Sequence, residues 1–464
     1  VLNVSLPIRS SEPKSRQSLL CAAVVLAAFA ISFTRLVGFV ADNAVDLLFD
    51  DQWDYLNPLF NGEGPLSSFF YQHGPPRLGL GGWIEWFLYT ATGWDVRAVS
   101  WLAAGVLTFA ALSAVFLTSR LRGRIHWIDA GIPLLLLSPI HWESMTLTPS
   151  VAPMILPLLL AILIALGWSF ENPTTQFVFV SLFGVLNLFT GYGACSAPVV
   201  IGLAVLLLFR PTQAIPHQRR TCRAILMIMV VAILLFAHGY KWAPGVPGWR
   251  FPVPNWWDYP RFCALMFTSL LGFRSLSWPA TLLGALLLSL VTLAFIGATI
   301  RIWRKQSGPR IRTIWFLAGT SLTYSVFTAI GRLPINIEGA FMWRYITLMT
   351  PSICGLALAA EEWAPAKSTA ASRFLKVGWL LLALAIWSNF KPEQYAGAVA
   401  AAKRKWAADY LRTRDLKQAN VDSNFWVYYP EPGSPRIAER LRWLEAHHLS
   451  LFRSVTKTFP SSSQ

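Results

Sequence analysis

Apolar residues gather along this chain into long runs parted by short polar stretches. A helix needs roughly 20 apolar residues to cross the hydrocarbon core of a bilayer. Counting such runs gives about eleven, near 19–41, 98–118, 127–142, 151–169, 176–191, 195–210, 223–239, 277–300, 314–330, 345–361 and 374–390. The pattern predicts an all-α polytopic membrane protein of about eleven transmembrane helices. The run at 261–278 is apolar but carries arginines inside it, so it reads as an interfacial or re-entrant helix rather than a span.

The polar stretches differ in kind. The segment 42–97 is long and elaborate: acidic residues, the turn NGEGP, then FFYQHGPPR, then LGLGGWIEWFLYTATGW, which Pro76 is expected to open as a short amphipathic juxtamembrane helix. Short basic clusters (Arg9, Lys14 and Arg16; SRLRGR at 119–124; Arg219, Arg220 and Arg223; RIWRKQSGPRIR at 301–312) fall on one side of the membrane, read as the cytoplasm. The segment 42–97 then lies outside, with HWESMTLTP, GYGACSAP, the Trp-rich 240–276 and GRLPINIEGAFMWR. Residues 1–390 form the transmembrane part, and 391–464 a small extracytoplasmic C-terminal region with two helical stretches and an extended NFWVYYP between them.

Composition sharpens this picture. The chain of 464 residues is 55% hydrophobic and 13% charged, which excludes an ordinary soluble globular protein. Its net charge of +16 sits in short clusters between apolar runs, so it reads as membrane topology, and no nucleic-acid partner is expected. The five cysteines are scattered singly with no metal-ligand spacing and read as inert packing residues. No small-residue cleavage site precedes the first run, which is therefore expected to stay as a helix.

Candidate chemistry lies in the outer segments. Asp42, Asp46, Asp50 and Asp54 recur every four residues, with Asp51 beside them; on a helix they would form one acidic stripe that repels itself. Such a cluster suits a general base or a cation site. His73 and Arg77 add a titratable group and a fixed cation across a Gly-Pro-Pro turn. Glu143 is the acid of its short loop, two residues after His141, and Arg332, Glu338, Arg344 and Tyr345 stand at the outer ends of two later runs. Guanidinium groups match phosphate oxygens bidentately. Lys241 and Arg250 sit among aromatics of the kind that stack on sugar rings.

The motifs DDQWDYLN, QHGPPRL, HWES and the RY of MWRYITL resemble a group of bacterial membrane proteins assigned to the integral-membrane C-type glycosyltransferase superfamily (GT-C). The resemblance implies a multi-pass protein of the bacterial inner (cytoplasmic) membrane with its active site facing the periplasm or exterior. It implies sugar transfer from a polyprenyl-phosphate-linked donor to a hydroxyl of a glycan, lipid or protein acceptor, inverting at the anomeric carbon. The superfamily's catalytic aspartate matches Asp50 or Asp51, which sequence does not separate, with Asp54 a turn away. His73, Arg77, Glu143, Lys241, Arg250, Arg332, Arg344 and Tyr345 become substrate-binding candidates beside membrane lipids. Some members use a divalent cation such as Mg or Mn, for which Asp50 and Asp54 are the candidate ligands. A transporter or flippase of a lipid-linked or anionic solute, an O-antigen-type polymerase or ligase, and a scaffold remain the competing classes.

Overall fold

The computed structural model describes residues 16–209, 216–241, 250–363, 369–428 and 435–453. In chain order its main helices are α1 (Arg16–Asn43), α2 (Gly79–Thr92), α3 (Val96–Arg122), α4 (Ile155–Ser169) and α5 (Pro173–Phe189). Then follow α6 (Ala197–Phe209), α7 (Pro216–Ala237), α8 (Asp258–Ser269), α9 (Trp278–Trp303) and α10 (Pro309–Arg332). The last five are α11 (Thr350–Trp363), α12 (Thr369–Trp387), α13 (Lys391–Thr413), α14 (Leu416–Ser423) and α15 (Pro435–Ala446). The described residues hold no β-sheet, only an isolated bridge between Gln72 and Arg77, and NFWVYYP forms no strand over its described part.

Seven helices among the described residues, not about eleven, are long and apolar enough to cross a membrane: Arg16–Asn43, Val96–Arg122, Gly191–Phe209, His217–Ala237, Trp278–Trp303, Pro309–Arg332 and Arg373–Thr413. The chain is thus an all-α multi-pass membrane protein with fewer spans than the apolar runs imply. Four runs fall short. The 127–142 run breaks into a 3-10 turn (Trp127–Ala130), the six-residue helix Gly131–Leu136 and another 3-10 turn (Pro139–His141). Proline at the first position of that last turn and the Ser138 cap restart the chain there. The 345–361 run splits likewise into Trp343–Ile346, Thr347–Met349 and α11.

The other two are helices of insufficient length. At 1.5 Å per residue, α4 reaches only about 22 Å and α5 about 25 Å, short of the roughly 30 Å core. All 15 residues of α4 are buried by protein. Hydropathy cannot distinguish a helix that faces lipid from one that faces other helices, and α4 belongs to the second kind. α5 starts where Asn172 Oδ1 accepts from the Thr174 and Thr175 N–H groups with Pro173 in the first turn, a cap that fixes its register.

The first loop and the C-terminal region share a second apolar core, separate from that of the bundle. Trp53, Leu56, Tyr89 and Trp94 from the loop pack with Trp406, Tyr410, Leu441, Leu444 and Phe452 from the tail. Trp53 Nε1 donates to the Val427 carbonyl at 3.2 Å, and Trp406 Nε1 to Asn420 Oδ1 at 2.8 Å. The loop helix opens at Gly79 rather than near Pro76. Gly79 has φ of +55°, and a Cβ there would meet the Phe189 carbonyl at 1.9 Å, so glycine is required where the loop presses on the end of α5. The charge inside the first span, Arg35, is matched: its Nε lies 2.8 Å from Glu393 at the start of α13, and its guanidinium stacks on Trp387 and Phe390.

Replacing Trp406 by Ala is expected to cost about 3–5 kcal/mol of docking of this cap. Limited proteolysis should then cut the chain after Thr413 faster while the spanning helices stay protected; an unchanged digestion pattern would contradict a shared core.

Candidate functional site

The acidic cluster is not a helical stripe. α1 ends at Asn43, whose side-chain amide donates to the Phe39 carbonyl at 2.8 Å, and every later aspartate finds its own environment. Asp42 is exposed in the last turn of α1. Asp46 accepts from the Val96 N–H at 2.9 Å at the head of α3 and pairs with Arg453. Asp54 accepts from the Tyr428 hydroxyl at 3.0 Å and pairs with Arg436 at 3.3 Å, so it belongs to the contact with the tail. The four carboxylates share a sequence period but no face, because donors from α3 and the tail pull the chain into a loop.

Asp50 and Asp51 diverge at the backbone. Asp50 sits at φ of +50°, in the left-handed region that Asp tolerates better than most residues, and its N–H donates to Val427 O at 2.8 Å. Asp51 turns toward the bundle. Its Oδ2 accepts from Arg344 Nη1 at 3.1 Å and from the Tyr55 hydroxyl at 3.4 Å, and its Oδ1 lies 3.4 Å from His73 Nε2. His73 is steadied edge-on against the Tyr55 ring at 4.8 Å.

Arg344 is oriented in turn by Glu143, which accepts from the Arg344 backbone N–H at 3.0 Å and lies 3.4 Å from its Nε. Glu143 heads a π-helical turn (Glu143–Leu147), a rare geometry that recurs at functional sites. The fold thus joins the first loop, the 143–147 turn and the short helix Trp343–Ile346. Arg332, in the last turn of α10, acts on Asp51 through its charge. Tyr345 is buried with no hydrogen-bond partner for its hydroxyl among the described residues, and its ring lies 5.9 Å from the Arg344 guanidinium.

The neighbouring carboxylates are driven apart electrostatically. Burial, helped by the Asp51 charge, pushes Asp50 up to about 6. Burial would also raise Asp51, but the His73 bond and the positive charges of Arg344, His73 and Arg332 outweigh it and hold that group at about 2. At neutral pH, Asp51 is a fixed anion within a cationic cluster, and Asp50 is a carboxylate close to its titration point.

The remaining candidates lie elsewhere. Arg77 is buried, and its donors are spent on the carbonyls of Phe70 at 2.6 Å, Phe236 at 3.2 Å and His238 at 2.7 Å, which staples the loop to the end of α7. Lys241 is exposed; its backbone exchanges hydrogen bonds with the Gln72 amide at 2.6 and 3.0 Å. Arg250 is exposed, and 242–249 lie outside the described residues. Glu338 is exposed in a 3-10 turn, and His141 is buried with Nδ1 3.0 Å from Thr347 Oγ1.

Of the candidate metal ligands Asp50 and Asp54, Asp54 is bonded to Tyr428 and paired with Arg436. Among the described residues no group of three or more His, Cys, Asp or Glu is placed to hold a metal. All five cysteines are free, and four of them are buried.

Several buried charged residues escaped the sequence reading, Lys403 and Glu85 among them. Lys403 of α13 is fully buried; its Nζ donates to the carbonyls of Thr146 at 3.0 Å and Leu147 at 2.5 Å and stands 5.0 Å from the Phe49 ring. A signal existed: Ala396, Ala400, Lys403, Trp406 and Tyr410 are the buried stripe of α13, so Lys403 occupies an inward helical position amid exposed basic neighbours. Glu85 of α2 accepts from Ser150 Oγ at 2.7 Å and the Val151 N–H at 2.6 Å, while burial pushes it up to about 7. Its place on the inner face of an amphipathic helix was equally legible.

Compared with models of protein families, with curated proteins and with solved structures, the chain matches none of them.

Proposed function

We propose that the protein is a membrane glycosyltransferase that moves a sugar from a polyprenyl-phosphate-linked donor to an acceptor hydroxyl, in a bacterial cytoplasmic membrane with its site facing the periplasm or exterior. The observation that carries the reading is the adjacent pair Asp50 and Asp51 with opposed electrostatics, set among Arg344, Arg332 and His73 at one end of a spanning bundle. The resemblance of DDQWDYLN and MWRYITL to C-type glycosyltransferases supports it.

A general base works best when its pKa lies near the working pH, and Asp50 meets that condition where Asp51 does not. In the proposed step Asp50 takes the proton of the acceptor hydroxyl. The freed oxygen pair forms the new bond to the anomeric carbon from the face opposite the phosphate. The old carbon–oxygen bond breaks, and its electrons leave on polyprenyl phosphate. Arg344, Arg332 and His73 stabilise that charge, and Asp51 and Glu143 hold Arg344 in place to receive it. A phosphate is a good leaving group, so no strong general acid is needed.

The test is incubation of the purified protein with a panel of polyprenyl-phosphate sugars and acceptors, reading release of polyprenyl phosphate. Asp50→Asn should lower the rate about 10²- to 10⁴-fold. The rate should rise with pH through an acid limb near 6, where Asp50 loses its proton. Turnover that survives Asp50→Asn would sink the assignment.

Stability should move the other way. The folded Asp50 binds its proton more tightly than an unfolded Asp, so its contribution is full below pH 4 and is lost as pH rises through about 6. Asp50→Asn should therefore raise the melting temperature in detergent at pH 7, with the gain shrinking toward pH 4. Asp51 is depressed, so its contribution is present above pH 4 and lost as pH falls toward 2. Asp51→Asn should destabilise the protein at pH 7 by about 2 kcal/mol, having removed a charged acceptor from Arg344 and His73.

A further inference from the structure

The end of the bundle opposite Asp51 carries a second concentration of charge. α10 runs 24 residues, about 36 Å, from Arg310 in its first turn to Arg332 in its last. Around its start lies a groove of about 850 Å³, walled by the ends of α3, α4, α9 and α11. This is within the size range of small-molecule sites.

Three arginines from three helices line it. Arg120, in the last turn of α3, has its guanidinium held 4.3 Å from the Phe170 ring, by an aromatic face rather than by a carboxylate. Arg301 of α9 and Arg310 of α10 share one acid: Glu362 Oε1 lies 2.8 Å from Arg301 and Oε2 3.2 Å from Arg310. Arg310 is further fixed by donating to the Leu121 carbonyl at 3.2 Å. Among the described residues, two guanidiniums are thus balanced by one carboxylate, and a third has none. The other lining acid, Glu171, is exposed.

The start of α10 adds to this positive field. Gly308 precedes the helix without any side-chain cap, and Gly308, Pro309, Arg310 and Ile311 all line the groove. Its depth in the membrane is marked by aromatics: Trp363 lies 5.8 Å from the Arg301 guanidinium, and Trp303, two residues after Arg301, is exposed. Basic pockets between spanning helices at this depth suit phosphate-bearing headgroups.

We propose that this groove binds the phosphate of an anionic membrane lipid, with Arg120, Arg301 and Arg310 as its cationic ligands. The site is separate from the Asp51 cluster and does not depend on the transferase reading. A lipid is favoured over a soluble phosphate because the groove is built from the ends of spanning helices beside interfacial tryptophans, where an acyl chain has apolar protein and bilayer to lie along.

Native mass spectrometry of the full chain in detergent tests this, titrating short-chain phosphatidylglycerol, phosphatidylcholine and inorganic phosphate. The expected result is preferential retention of phosphatidylglycerol, weakened about five-fold by Arg120→Gln and again by Arg310→Gln. Glu362→Gln should tighten retention, because it frees two guanidiniums from their shared acid; a merely structural groove would show no such gain. Arg120→Gln breaks no ion pair among the described residues and is the variant expected to keep its fold, checked by an unchanged melting temperature. Equal retention of the two lipids, indifference to Arg120→Gln in folded protein, or weaker retention in Glu362→Gln would each overturn the proposal. Inorganic phosphate binding as tightly as the lipid would overturn the lipid assignment and identify a soluble phosphate as the occupant.

Discussion

One guanidinium holds together the end of the bundle where the acidic loop lies. Arg344 reaches Asp51 of the first loop on one side and Glu143 of the π-helical turn on the other, across sequence separations of 293 and 201 residues. Arg332 adds a second positive charge from the end of α10. Without Arg344, Asp51 and Glu143 would be two acids in a half-buried place with too little to balance them, and burial alone pushes carboxylates toward neutrality. With it, Asp51 stays charged. Asp50 next door is raised first by its own burial and then by the Asp51 charge, to about 6. Displaced pKa values concentrate at functional sites, which is the physical basis of the proposed base.

The C-terminal region is part of this arrangement rather than an appendage. It shares an apolar core with the first loop, and it sends Lys403 inward to hydrogen-bond the turn that carries Glu143. Tyr428 and Arg436 take up Asp54, and Val427 anchors the Asp50 N–H. The loop is long because it is shaped from both sides, by the bundle below it and by the tail packed against it.

The two ends of the bundle use arginine differently. Near Asp51, one guanidinium serves two carboxylates, and the balance fixes a geometry. At the other end, Arg301 and Arg310 share one carboxylate and Arg120 leans on an aromatic ring, which leaves positive charge unspent. Short basic clusters looked in the sequence like a statement about topology alone; folded together, two of them, 119–124 and 301–312, line one groove.

The sequence by itself determined that this is an all-helical, multi-pass membrane protein, because apolar length and composition are local properties. It also singled out Asp51, His73, Glu143 and Arg344, since charged groups beside apolar runs are costly enough to mark themselves. It miscounted the spans, because a run such as 151–169 is equally apolar whether lipid or protein surrounds it, and only packing shows that protein surrounds its helix, Ile155–Ser169. Tertiary structure alone decided which charges meet. The period of four in Asp42, Asp46, Asp50 and Asp54 implied a shared face, yet α1 stops at Asn43 and distant donors take each carboxylate separately. Arg77 looked like a free cation beside the acids until three carbonyls of two segments claimed it. The separation of Asp50 from Asp51 came from a left-handed backbone at one residue and a guanidinium almost three hundred residues away, neither of which any local pattern encodes.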